Sequence, residues 1–281
     1  VRNLNQDTIT QAVIARFAGT PDPRLKEIMT SLVQHLHAFA REVKLTESEW
    51  LAGIDFLTAT GQKCDDKRQE FILLSDTLGL SMLTVAMNNN KPAGCTEATV
   101  FGPFFLEGAP RFNLGDDVAG GARGEPCLVH GTIKALDGTP VPNALINVWQ
   151  ADAEGNYDVQ YAHLAKPQAR GILNADENGN FHFKTILAEA YPIPTDGPVG
   201  AMLKATSNHP WRPAHLHFMI DAPGYEKLIT HVFREEDPYL ESDVVFGVRS
   251  SLVADWKKNP DGTYDLDYDF VLNPVKQTAK V

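Results

Sequence analysis

The stretch Ala214-His215-Leu216-His217-Phe218-Met219-Ile220 decides how the larger part of the chain is read. In an extended strand successive side chains alternate between faces. His215 and His217 therefore project together, while Leu216, Phe218 and Ile220 fill the opposite face. A run with polar groups on one side and bulky apolar groups on the other reads as a strand lying on a core. The sequence holds a second His-x-His, His35-Leu36-His37, with a different meaning. That pair lies in a helical pattern, where residues two apart point about 200° apart, so its rings cannot meet one ion.

Working outward, Cys127 to Ile133, Leu145 to Trp149, Phe181 to Ile186 and Lys227 to Phe233 also read as short strands. Asp137-Gly138, Asn178-Gly179, Pro223-Gly224 and Asp261-Gly262 mark turns between them. Short strands at this spacing predict an antiparallel sandwich or barrel. Ahead of Asn88-Asn89-Asn90 the period is helical. Ile9, Val13 and Phe17 recur every fourth residue, and an apolar stripe runs from Leu25 to Val43. Thr46 and Glu49 form a capping box, and a further helical segment spans about Arg68 to Met87. The predicted class is α+β, with a helical N-terminal part over residues 1–95 and an antiparallel β-sandwich domain over 96–281.

Bulk properties narrow the function classes. With 281 residues and 43% hydrophobic content, the chain can bury a substantial core. Its net charge of −11 repels phosphate backbones, and no basic stripe counters it, so nucleic acid is not the expected partner. No stretch approaches 18 uninterrupted apolar residues, so no membrane span is expected. Val1 to Gln6 lacks an apolar segment behind a basic one, which gives a cytoplasmic protein as the expectation. Cys64, Cys95 and Cys127 are far apart and odd in number, and read as free thiols rather than a disulfide framework or zinc knuckle.

His215 and His217 can chelate a metal, although a strand histidine pair also serves as hydrogen-bonded structure. No cysteine or carboxylate stands at a recognisable ligand spacing from them. Tyr157, after Gly155-Asn156, and Tyr191, before Pro192, are placed suggestively, but single tyrosines are more often packing residues with a bonded hydroxyl.

Arg212-Pro213-Ala214-His215-Leu216-His217 resembles the signature of the intradiol ring-cleavage dioxygenases, the catechol and hydroxyquinol 1,2-dioxygenases. Gly155-Asn156-Tyr157 is similar to that family's first tyrosine segment, and Tyr191 with Pro194-Thr195-Asp196-Gly197-Pro198 to its second. Asp237-Pro238-Tyr239-Leu240 and Phe101-Gly102-Pro103-Phe104 also look like family segments. The resemblance covers nearly the whole chain. It implies one non-haem Fe3+ per subunit, held by Tyr157, Tyr191, His215 and His217. Two hard phenolate donors would favour the ferric state. It further implies that Tyr191 leaves the metal to act as base and that Arg212 stabilises negative charge on the ring as dioxygen attacks.

Among these enzymes the chain resembles those acting on hydroxyquinol more than those acting on catechol or chlorocatechol. Leu73-Leu74-Ser75-Asp76 and Thr230-His231-Val232-Phe233 carry that distinction, with Asp76 an acceptor for a third ring hydroxyl. The alternative for Asp76 is a buried helix residue bonded to backbone or Arg68. Leu73, Val100, Gly102, Pro103, Ile193, Pro194, His231 and Val245 complete the implied pocket for an aromatic diol or triol. A homodimer through the helical part, with phospholipid at its interface, is implied for this chain as for several family members. Two rival readings are a zinc or copper site on His215, His217 and His231, and a transthyretin-like binding module with a structural histidine pair.

Overall fold

The computed structural model describes residues 2–275; Val1 and the last six positions of the predicted β domain lie outside the described residues. The chain divides into two compact units, Val1–Ala59 and Thr60–Val281. Its helices are α1 (Ile9–Ala15), α2 (Pro23–Glu42), α3 (Glu47–Gln62), α4 (Glu70–Thr77), α5 (Leu80–Asn88) and α6 (Pro198–Ala205). Its strands are β1 (Pro126–Ala135), β2 (Leu145–Trp149), β3 (Arg170–Asn174), β4 (Asn180–Ile186), β5 (Tyr191–Pro192), β6 (Trp211–Arg212), β7 (His215–Asp221) and β8 (Leu228–Arg234). The C-terminal strands are β9 (Val253–Ala254), β10 (Trp256–Lys258), β11 (Tyr264–Asp267) and β12 (Phe270–Leu272).

In the first unit, α2 starts where Asp22 caps it, its carboxylate accepting from the backbone N–H of Arg24 (2.8 Å) and Leu25 (3.2 Å), with Pro23 in the first turn. His35 and His37 sit in this helix, and His37 is bonded to Thr10 Oγ1 across to α1 at 3.0 Å. The predicted capping box closes as expected. Thr46 N–H donates to Glu49 Oε2 at 2.9 Å, and Glu49 N–H donates to Thr46 Oγ1 at 3.3 Å.

The segment expected as one helix from Arg68 to Met87 is two, α4 and α5, bent 77° apart. Gly79 breaks it with φ +72°, a left-handed conformation that glycine adopts without the steric cost of a Cβ. Among the described residues no single helix is long and apolar enough to cross a membrane.

Among the described residues the β part has two five-stranded sheets, one in the order β10-β11-β1-β12 with β4 on β1, the other β3-β2-β7-β8-β9, and a two-stranded sheet, β5-β6. The five-stranded sheets are mixed rather than purely antiparallel, which corrects the sequence expectation. β1 pairs in parallel with β11 and β12, and β8 in parallel with β9. Strand direction is not encoded in a period of two. A tight hairpin forces antiparallel pairing, whereas chain ends returning from afar are free to pair either way.

The core between the sheets gathers Val129 and Ile133 from β1, Phe181 and Phe183 from β4, and Leu216, Phe218 and Ile220 from β7. Phe218 is central, with ring centroids 4.7 Å from Phe270 and 6.2 Å from Phe181. A fully buried side chain of this size contributes about 1.5–3 kcal/mol through removal from water. Burying one face of β7 this firmly fixes its register, and so fixes what the other face presents.

Candidate metal centre

The other face of that sheet carries the site. Pairing sets Trp149 of β2 opposite His217 of β7, and His217 opposite His231 of β8. Three side chains thus stand in one row across three strands. Trp149 stacks on the His217 ring at 4.6 Å and 17°. His215 lies one row along, opposite Phe233. The start of β7 is anchored by Asp237, whose carboxylate accepts from Ala214 N–H at 3.0 Å.

Tyr157 and Tyr191 arrive from outside the sheet. Tyr157 precedes the short turn Asp158–Gln160, and its backbone N–H is held by Gln160 Oε1 at 2.8 Å. Tyr191 is fixed by the two-strand pairing of β5 with β6, directly opposite Arg212. Gly155 lets the two approach. It has φ +79°, and a Cβ there would lie 2.9 Å from Tyr191 Cβ.

Four buried donors converge. Tyr157 Oη is 2.9 Å from His217 Nε2 and 3.2 Å from Tyr191 Oη, and His215 Nε2 is 3.2 Å from His217 Nε2. Donor atoms bound to one ion at about 2.1 Å stand about 3.0–3.6 Å apart, so this spacing suits a shared cation. His215 Nδ1–H donates to Pro213 O at 2.7 Å, which leaves its Nε2 lone pair facing the cluster.

Burial governs the protonation of this set. It pushes the Tyr157 phenol well above its ordinary range, reinforced by neighbouring Tyr191, and raises Tyr191 as well, against the pull of Arg212. Burial also drives His215, His217 and His231 well below the usual imidazole value. The imidazoles are therefore neutral and able to coordinate, while the phenols ionise only when a cation balances them.

His215, His217 and His231 also offer nitrogen atoms within 4.8 Å of one another. Two features set His231 apart. Its ring lies nearly parallel to His215 at 4.6 Å and 19°, so the in-plane lone pairs run side by side rather than converging. Its Nδ1 faces Arg212 Nη2 at 3.4 Å. That guanidinium is buried and also lies 3.1 Å from His215 Nε2. Its positive charge disfavours a metal held by neutral donors alone and favours one balanced by phenolates.

The residues expected around the substrate are mostly buried in the same unit. Leu73, Val100, Ile193 and Val245 are buried, as is Gly102, where a Cβ would lie 3.4 Å from His217 Cε1. Pro103 and Pro194 are half-buried. Asp76 is buried, and burial raises its pKa against a bond to Ser81 and the field of Arg212. Arg68 pairs instead with Glu70 at 2.8 Å and with Asp196 at 2.6 Å.

Sequence reasoning missed several supporting groups. Asp158, next to Tyr157, forms a buried ion pair with Arg170, whose Nη1 donates to Phe104 O at 3.0 Å. Phe104 in turn stacks on Tyr157 at 4.5 Å. Asp243 pairs with Arg212, and Trp149 backs His217. An arginine within the buried strand β3 was the one available signal, because such a charge requires a partner.

Comparison with known proteins follows the same lines. The family model described as "Dioxygenase" matches residues 100–274, and that described as "Catechol dioxygenase N terminus" matches residues 22–96. A 6-chlorohydroxyquinol 1,2-dioxygenase of Cupriavidus pinatubonensis is 67% identical over 98% of this chain and 100% of the relative. A hydroxyquinol 1,2-dioxygenase of Nocardioides simplex is 53% identical over 93% of this chain and 89% of its own. The crystal structure of hydroxyquinol 1,2-dioxygenase from Pseudomonas putida superposes with a TM-score of 0.88 at 47% identity, covering 96% of this chain and 99% of that one.

Proposed function

This chain belongs to the intradiol ring-cleavage dioxygenase family, an Fe(III)-dependent class, and we propose that it cleaves hydroxyquinol, benzene-1,2,4-triol, chlorinated forms included. From the unchlorinated triol the product is 3-hydroxy-cis,cis-muconate, the tautomer of maleylacetate. The observation carrying the reading is the convergence of two phenols and two neutral imidazoles beside one buried guanidinium.

In this reading Tyr157, Tyr191, His215 and His217 would hold one ferric ion. A bound ferric ion supplies Lewis-acid polarisation of a catecholate, so that the ring can react with dioxygen. Tyr191 Oη accepts a proton from a substrate hydroxyl as the diol binds. Arg212 donates toward the oxygen atoms on which negative charge develops, in a site sealed from water where such donors act most strongly. Asp76 accepts a hydrogen bond from the third ring hydroxyl. A catechol lacking that hydroxyl would forgo this bond and leave the buried carboxylate with Ser81 as its remaining partner, which disfavours it. Leu73, Val100, Gly102, Pro103, Ile193, Pro194, His231 and Val245 form the surrounding wall.

The helical part, residues 1–95, serves in this reading as the homodimer surface, with phospholipid at the interface. The exposed stripe of Leu25, Ile28, Leu32, Leu36, Phe39 and Val43 supports it. Light scattering is expected to give twice the chain mass, and a monomer alone would remove the dimer. Action in the cytoplasm is part of the same reading. The test of activity is dioxygen uptake with the triol and, separately, with catechol, against a boiled-enzyme control because the triol oxidises in air. Faster uptake on the triol, with maleylacetate formed, is expected. Faster uptake on catechol would overturn the substrate, and silence on both by iron-loaded protein would overturn the function.

A further inference from the structure

Arg212 is held by a device that the donor cluster does not explain. Asp243 follows the short turn Leu240–Ser242 and is buried. Its carboxylate meets the guanidinium side-on: Arg212 Nε donates to Oδ1 at 3.1 Å and Nη2 to Oδ2 at 3.2 Å. Both side chains are nearly closed to solvent, at 4% and 2% exposure. The same two oxygens accept backbone N–H groups, Oδ1 from Val245 at 3.3 Å and Oδ2 from Gly247 at 2.9 Å. Thr99 Oγ1 closes the ring by donating to Gly247 O at 2.7 Å. Space is tight: a Cβ on Gly247 would lie 3.1 Å from Arg212 Nη2, from Asp243 Oδ2 and from Thr99 Oγ1.

We propose that Asp243 is the positioning residue for Arg212, and that its one carboxylate locks the reactive arginine to the Val245–Gly247 side of the substrate pocket. The chemistry follows from the inventory of partners. A guanidinium offers five N–H donors in a fixed plane, and a two-pronged carboxylate fixes the orientation of that plane. With the Nε and Nη2 edge spent on Asp243, Nη1 is left pointing toward His215 Nε2, 3.1 Å away. Nη1 thus faces the donor cluster. Without Asp243 the guanidinium is a buried charge left with the His215 and His231 rings and the Tyr191 hydroxyl, and with no carboxylate to fix its plane.

This inference rests on the role given to Arg212 above. It is tested by a double-mutant cycle on the iron-loaded enzyme with D243N, R212Q and the pair, measuring kcat and KM for the triol, iron content and the visible absorption band. R212Q alone is expected to lower kcat on the order of a hundredfold, within the range for one lost charge-stabilising donor. D243N is expected to lower kcat by about tenfold or more with iron content and band unchanged. The double variant is expected to be no slower than R212Q. Losses that multiply, or an unaltered kcat in D243N, would overturn the role of Asp243. An unaltered kcat in R212Q would overturn the role of Arg212 instead. If D243N does not fold, D243E takes its place in the cycle, with coupled losses supporting the proposal and independent losses refuting it.

Discussion

The two faces of β7 follow opposite rules. On one, Leu216, Phe218 and Ile220 enter a core of aromatic and branched apolar side chains. On the other, His215 and His217 meet Tyr157, Tyr191, His231 and Arg212, all of them buried as well. Burial on the first face is favourable in itself. Burial on the second is costly, offset by hydrogen bonds, by the Asp243 counter-charge and, in the working enzyme, by a metal. The dry face holds the strand still, and the polar face uses that rigidity to keep donor atoms at ligand spacing.

The comparison breaks most visibly on the polar face. With Tyr157 a ligand as proposed, Tyr157→Phe removes a hard anionic donor and is expected to lose iron, or at least the phenolate colour, with activity falling at least about a hundredfold. Metal analysis and visible spectra check it, and full activity with an unchanged spectrum would remove Tyr157 from the set. Changes to outlying partners of metal ligands typically cost 10–100-fold, so a ligand itself should cost more. Phe218→Ala attacks the dry face and is expected to cost about 3–5 kcal/mol of stability through an unfilled cavity. Urea unfolding measures it, while the variant that remains folded should still bind iron. A cost near zero would mean that the core does not brace the site.

The third prediction separates the faces by pH. Burial keeps His215, His217 and His231 neutral in the fold, below their ordinary value of 6.5. The unfolded chain then binds more protons than the folded one once pH drops below about 6.5, so stability is lost as pH falls. In metal-free protein the dependence should approach one proton per ring, and His217→Phe should flatten it. A pH-independent unfolding free energy between pH 7.5 and 5.5 would contradict neutral burial. The smallest effect is expected at Asp76→Asn, which should narrow the preference for the triol over catechol by about tenfold, the value of one hydrogen bond to a charged group. An unchanged ratio of kcat/KM values would remove Asp76 from substrate contact.

How much of this was legible in the sequence differs between the faces in the same way. The alternation through His215 to Ile220 encodes both faces of β7, because a period of two is local. The capping box at Thr46 and Glu49 is local too, and it forms as read. The break at Gly79 was hidden, since apolar residues continue through it and only the backbone shows the left-handed turn. Strand direction was hidden for β11 and β12, whose pairing with β1 is decided by the return path of the chain. Asp243 and Arg212, or Asp158 and Arg170, are partners only in three dimensions, and no spacing rule joins a carboxylate to a guanidinium at such separations. Tyr157 and Tyr191 are no more than suggestive by their position in the sequence, and only family resemblance implies that they are ligands. Their approach depends on the sheet pairing of β5 with β6 and on Gly155.

The most direct test of the account is the metal itself. Protein loaded with iron and exchanged free of excess should hold one ferric ion per chain and show a broad visible phenolate-to-iron band. Protein that takes zinc or copper in preference, or binds iron without that band, would contradict the site built on Tyr157, Tyr191, His215 and His217.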